Sequence, residues 1–137
     1  CRVMYAVGLA MLVSGLSGCG SSDETEADRI GVGAECSEAS ECESADEDIV
    51  LECLTQFKGG YCGLTGCGGD GDCPEGSACI AYEDGSVSGN FCFRVCQDKP
   101  ECNLNRSVDS ESNCSSNVDF VDGRQDRKAC VPPSSGA

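Results

Sequence analysis

The sequence predicts a small, disulfide-rich fold of tandem short β-hairpin modules, mostly loop, placed after an N-terminal signal-peptide helix. Three observations carry that expectation. Fourteen of 137 residues are cysteine, while Leu, Ile, Val and Phe are sparse, and small chains with little apolar surface to bury rely on cross-links. From position 36 onward the cysteines fall into three groups of four, each opening with C-x5-C. At the N-terminus an apolar run from Val3 to Leu16 is interrupted only by glycine and serine. It is too short for a spanning helix, which needs about 20 residues, and fits the apolar region of an export signal.

Composition excludes several functions at once. The chain has no histidine, which removes Ser–His and Cys–His catalytic pairs and mixed Cys/His zinc sites. A formal net charge of −15 argues against a phosphate-neutralising face, so no nucleic-acid partner is expected.

Residues 1–18 read as the signal, ending in Leu16-Ser17-Gly18-Cys19. This run resembles the lipobox of bacterial lipoproteins. The resemblance implies that Leu16 enters the signal peptidase pocket and that Ser17 and Gly18 fit its narrow cleavage cleft. Cys19 then becomes the N-terminus, bearing three acyl chains, palmitate among them. Acyl chains contribute about 0.8 kcal/mol per buried CH₂, enough to hold a protein on a bilayer without a span. Gly20, where an aspartate is the family's inner-membrane retention cue, implies the outer membrane. The chain opens on Cys1 with Arg2 as its only early cation, as expected of a longer signal entered part-way.

Residues 19–35 are expected to form an acylated cysteine and a flexible acidic tether. Gly20 to Ile30 reads GSSDETEADRI, with only Ala27 and Ile30 as aliphatics, too few to offset the entropy of ordering. As a coil, about ten residues reach roughly 17–19 Å.

The disulfide array is expected over 36–131, followed by a flexible tail at 132–137. Its modules are 36–62, 67–92 and 96–130. Twelve cysteines remain after Cys1 and Cys19, an even number as full pairing requires. Tyr61 and Phe91 each precede a fourth cysteine, so the repeat extends beyond cysteine, as in an array of small units. Hairpins are expected at Leu54–Phe57 with Tyr61-Cys62, at Ile80–Tyr82 with Asn90–Val95, and at Val118–Val121 with Ala129–Val131. Their turns would be Lys58-Gly59-Gly60, the loop through Asp84-Gly85, and Asp122-Gly123.

Spacing alone leaves three pairings open in each group. The C-x5-C-x5-C run at Cys67, Cys73 and Cys79 resembles part of the four-disulfide-core (whey acidic protein) module, without that family's adjacent cysteine pair. The resemblance implies first with third, and with it second with fourth. The expected pairs are then Cys36–Cys53, Cys42–Cys62, Cys67–Cys79, Cys73–Cys92, Cys96–Cys114 and Cys102–Cys130.

The full arrangement resembles the cysteine-rich repeat lipoproteins of predicted myxobacterial proteomes. Gly33-Ala34-Glu35-Cys36, Tyr61-Cys62, Asp72-Cys73-Pro74, Phe91-Cys92-x3-Cys96 and Val131-Pro132 carry that resemblance. It implies a location and an architecture, not an activity.

No metal or cofactor is expected. Zinc modules prefer C-x2-4-C pairs, and the one close pair, Cys92-x3-Cys96, straddles two groups. Asp70, Asp72 and Glu75, and Asp119, Asp122 and Asp126, offer oxygens that calcium could use. Aspartate and glycine there are more simply explained as turn residues. The acids between Glu35 and Glu52 read as a solvated face. The triplets at Asn105 and Asn113 fit N-glycosylation and, beside a bacterial lipobox, are read as chance.

The expected function is therefore non-catalytic: an exported lipoprotein in the cell envelope, held to the lipid bilayer through Cys19. It would display a disulfide scaffold to a protein or cell-surface partner. The alternatives are an inhibitor-like module presenting Tyr82–Ser88 to an exported protease, and a calcium-dependent binding module.

Overall fold

The computed structural model describes residues 24–42 and 49–135. The signal, Cys19 and the lipobox residues Leu16, Ser17 and Gly18 lie outside the described residues. Among those described, no helix is long and apolar enough to cross a membrane.

The architecture is a mostly antiparallel β-sheet with little helix and six disulfides. The first element is a helical turn, α1 (Glu26–Ile30), within the stretch expected to be a flexible tether. Local signals explain the difference. The Thr25 hydroxyl accepts from the Asp28 N–H at 3.2 Å and the Asp28 carboxylate accepts from the Thr25 N–H at 3.1 Å, a reciprocal cap. Gly31 closes the turn in the left-handed conformation, φ 80°, which glycine adopts without a Cβ penalty. Ala27 and Ile30, three apart and so on one face, are buried in the core, as is Val32. The Ala27 N–H donates to the Glu75 carbonyl at 2.7 Å and Asp28 pairs with Arg94. Two well-placed aliphatics and a cap thus outweigh the four acids of the segment.

The strands are β1 (Glu52–Cys53), β2 (Cys62–Thr65), β3 (Ser77–Asp84), β4 (Val87–Cys96), β5 (Asn113–Ser115), β6 (Asp119–Phe120) and β7 (Lys128–Val131); a second helical turn, α2, spans Lys99–Cys102. The central hairpin joins β3 and β4 in continuous register from Ser77↔Arg94 to Asp84↔Val87. It is the hairpin expected of the second cysteine group. Strands of the other groups pair with it. On the far edge of β4, β2 pairs at Leu64↔Cys92 and β7 at Val95↔Ala129, while β6 lies on the outer edge of β3 at Ile80↔Phe120.

The outer groups therefore differ from the expected hairpins. In the first, β1 pairs with β2 through Cys53↔Cys62, and Phe57 makes an isolated bridge to Ser134. In the third, Gly123 turns as expected, its N–H donating to the Phe120 carbonyl at 2.8 Å. The chain does not return alongside β6, and β7 pairs with β5 and β4 instead. Burial decides this: Phe120 is 4% exposed, with the Arg127 guanidinium 5.1 Å from its ring centroid.

The C-terminal segment through Ser135 is also fixed, where a flexible tail was expected. Pro132 is buried, its successor Pro133 accepts from the Lys58 N–H at 2.9 Å, and the Ser135 N–H donates to Gln56 at 2.9 Å. Two successive prolines continue β7 as extended chain that needs no donor of its own at those positions.

Five of the seven aromatic residues form one cluster around Phe57, whose ring centroid lies 6.1 Å from Tyr61, 5.2 Å from Tyr82, 5.2 Å from Phe91 and 5.5 Å from Phe93, all edge to face. Such pairs contribute about 0.5–1.5 kcal/mol beyond area burial. Tyr61 is 0% exposed. Its hydroxyl donates to the Cys130 carbonyl at 3.2 Å and accepts from the Arg94 N–H at 3.0 Å. Gly60, just before it, has φ 71°, and a Cβ there would run into the Cys36 carbonyl.

Burial pushes the Tyr61 hydroxyl up to about 12 from an ordinary 10.0. A raised folded value means its contribution is fully present below pH 10 and lost as pH rises through the folded value. Tyr61→Phe is expected to lower stability at neutral pH by about 1–3 kcal/mol, by orphaning Arg94 N–H and Cys130 C=O. It also makes the alkaline limb of the stability curve shallower, leaving the share of Tyr82, which burial and Asp84 likewise push up to about 12. Urea unfolding between pH 7 and 11, under non-reducing conditions, measures both.

Candidate functional sites

The twelve cysteines beyond Cys19 are all in disulfides. In each group the first joins the third and the second the fourth: Cys36–Cys53, Cys42–Cys62, Cys67–Cys79, Cys73–Cys92, Cys96–Cys114 and Cys102–Cys130. Sequence separations run from 12 to 28 residues, which on a chain-entropy model gives each bridge about 3 kcal/mol. Sulfurs approach one another in threes, as at Cys67, Cys73 and Cys79, within 4.8 Å. Each of these sulfurs is bonded to another sulfur, so none offers the thiolate that zinc requires.

Four of the six acids singled out as possible calcium ligands are occupied differently. Asp70 begins a 3-10 turn (Asp70–Asp72). Its carboxylate accepts from the Cys79 N–H at 2.9 Å and pairs with Arg127. Asp72 accepts from the Gly68 N–H at 2.8 Å, and Asp122 accepts from the Asp70 N–H at 2.8 Å. Asp126 is paired with Arg124 at 2.8 Å. These carboxylates close loops and join the second group to the third. Calcium coordination needs six to eight converging oxygens, and the Asp70 carboxylate is already paired with Arg127.

Further acids serve the same purpose. Glu35 accepts from the Ser107 hydroxyl at 2.7 Å, which holds its carboxyl below the usual range, and Glu41 caps the Ser37 N–H at 3.0 Å. The acids at 43, 46, 47 and 48 lie outside the described residues.

Two features escaped the sequence reading. Arg106 is buried at 9% exposure, its guanidinium donating to the carbonyls of Ser110 at 2.8 Å, Gly33 at 3.1 Å, Gly60 at 2.8 Å and Lys58 at 2.8 Å. It also lies 5.7 Å from the Tyr61 ring centroid. The second feature is a recess of about 630 Å³ between the β3–β4 hairpin and residues 116–119. Nothing local announces either, because both are made where distant segments meet.

Burial alone would raise the Asp70 carboxyl, but the hydrogen bonds from Arg127 and the Cys79 N–H outweigh it and hold the group below 3.8. A depressed folded value means the contribution is present above the unfolded pKa and lost as pH falls through the folded one. Asp70→Asn is expected to cost about 1 kcal/mol at neutral pH and to flatten the acid limb below about pH 4, leaving the share of Glu35. Thermal melts from pH 2 to 7 measure the change.

No family model, curated protein or solved structure matches the chain, and the functional reading rests on its own residues.

Proposed function

We propose that this chain is a non-catalytic lipoprotein of the bacterial cell envelope, anchored by acylation of Cys19, with its disulfide-bonded domain as a display or binding module. The observation that carries the proposal is the division of labour among cysteines. Every cysteine from Cys36 onward has a partner among the described residues, so Cys19 in Leu16-Ser17-Gly18-Cys19 is not needed by the framework. Twelve paired cysteines call for an oxidising compartment, and the lipobox resemblance supplies the route there. The same resemblance, through Gly20, supports an outer-membrane location, and the three C-x5-C openings support a repeated cysteine module.

The cap at Thr25 bears on how the domain would be held. Only six positions separate Cys19 from Thr25, and six residues span at most about 20 Å. Anchored at Cys19, the domain stands close over the lipid, on a shorter leash than residues 19–35 would give.

Intact mass of the protein isolated from membranes, with and without reduction, tests this reading. The expected result is a chain beginning at Cys19 that carries acyl mass and gains twelve hydrogens on reduction. An unmodified Cys19 removes the anchor; free thiols before reduction remove the oxidised framework.

A second reading is favoured by one observation. Among the described residues, no strand pairs with the outside of the β3–β4 hairpin beyond Ala81 and Asn90, and Glu83 to Ser86 are exposed. A projecting arm of this kind suits insertion into a protease cleft. If that is its use, the oxidised domain inhibits a secreted protease in a panel assay, and replacing Glu83–Ser86 by Gly-Ser lowers inhibition at least about tenfold. Equal weak activity of both forms rejects it.

A further inference from the structure

We propose that the recess between the β3–β4 hairpin and residues 116–119 binds a short neutral oligosaccharide. The idea concerns the folded domain alone and does not depend on acylation of Cys19. At about 630 Å³ the recess lies within the usual range of small-ligand sites, about 300–1,000 Å³.

Its lining decides the ligand class. No lysine or arginine is on the wall, whereas Glu83 and Asp119 are. With a chain charge of −15, phosphates, uronates and sulfated sugars are repelled. Most of the remaining polar groups are neutral, with amides at Asn90, Asn117 and Gln125 and hydroxyls at Ser88 and Ser116. Each amide offers donors and an acceptor, and each hydroxyl offers both, the combination that matches vicinal sugar hydroxyls. A cationic ligand would use the carboxylates and the amide and hydroxyl oxygens but would leave the amide N–H donors unmatched.

Apart from the Asn90 amide, which donates to the Cys67 carbonyl at 3.0 Å, these groups are available. Among the described residues, the side chains of Glu83, Ser88, Asn117, Asp119 and Gln125 make no hydrogen bond or ion pair. The Tyr82 ring is half-buried, fixed edge-on against Phe57 at 5.2 Å and held at its hydroxyl by Asp84 at 3.3 Å. Tyr82 lies with Ile80 and Phe91 on the core face of the hairpin, opposite the face shared by Ala81, Glu83, Ser88 and Asn90, so the polar rim of a sugar, and not its C–H face, is what the recess addresses. The remaining apolar wall, Val118 and Val131, is too small to select a greasy ligand.

The test is an NMR titration of the uniformly labelled, oxidised full chain with cellotriose, maltotriose and tri-N-acetylchitotriose, and separately with spermidine. The expected result is a saturable shift with at least one sugar, confined to amides of 81–90 and 116–119. Asn117→Ala is expected to weaken binding about fivefold or more, the worth of one neutral hydrogen bond. Ala81→Trp places bulk in the recess from an exposed position and is expected to abolish binding while amide dispersion stays intact. Saturation by none of the three sugars overturns the proposal, as does a shift that survives Ala81→Trp unchanged. Saturation by spermidine alone overturns it too and assigns the recess to amines.

Discussion

The Tyr61 hydroxyl accepts a hydrogen bond from the second cysteine group, at the Arg94 N–H, and donates one to the third, at the Cys130 carbonyl. Its ring lies against Phe57 and Phe93 and beneath the Arg106 guanidinium. One side chain of the first group thus touches all three. The position before it admits only glycine: Gly60 has φ 71°, and the Cys36 carbonyl leaves no room for a Cβ. Arg106 completes the joint by tying carbonyls at 33, 58, 60 and 110 to one planar donor fork.

Those contacts matter because the disulfides do not supply them. All six bridges close loops inside a single group. They limit the unfolded ensemble of each group but leave the groups free of one another in covalent terms. Cohesion between groups comes from strand pairing on the β3–β4 hairpin, from Tyr61 with Arg106, and from Asp70 with Arg127. A lone short hairpin is marginal in water. Sharing one sheet gives β4 a neighbour on both edges and buries Phe91 and Phe93 beneath Phe57.

The parts of this structure legible in the sequence are those with local causes. C-x5-C spacing and an even count announce a cross-linked β fold, and Ile80–Tyr82 with Asn90–Val95 announces the central hairpin. The α1 turn was legible in principle: Thr25 and Asp28 form a cap and Ala27 and Ile30 share a face. Acidic composition spoke louder than that short pattern. Pairings between groups were not legible. Val118–Val121 looks able to turn back at Asp122-Gly123, and only the burial of Phe120 against β3 shows why it does not. Arg106 carries no local mark, since three of its four acceptors, at 33, 58 and 60, lie far away in the sequence. The acids read as possible ligands are the instructive case, because Asp70, Asp72 and Asp122, which could hold a cation, hold N–H groups and Arg127 instead.

Interlocking also creates the concavity on the β3 side of the hairpin. β6 covers the outer edge of β3 for only two residues, Ile80 and Ala81. The hairpin then runs on past it, and the angle between that free stretch and residues 116–119 is the recess. Three independent modules on a string would each present a small convex surface, too slight to enclose a ligand. A shared sheet instead brings Glu83 and Asn90 of the second group opposite Asn117 and Asp119 of the third. Any ligand held there contacts both groups, so its binding energy adds to the non-covalent contacts that join them and opposes their separation.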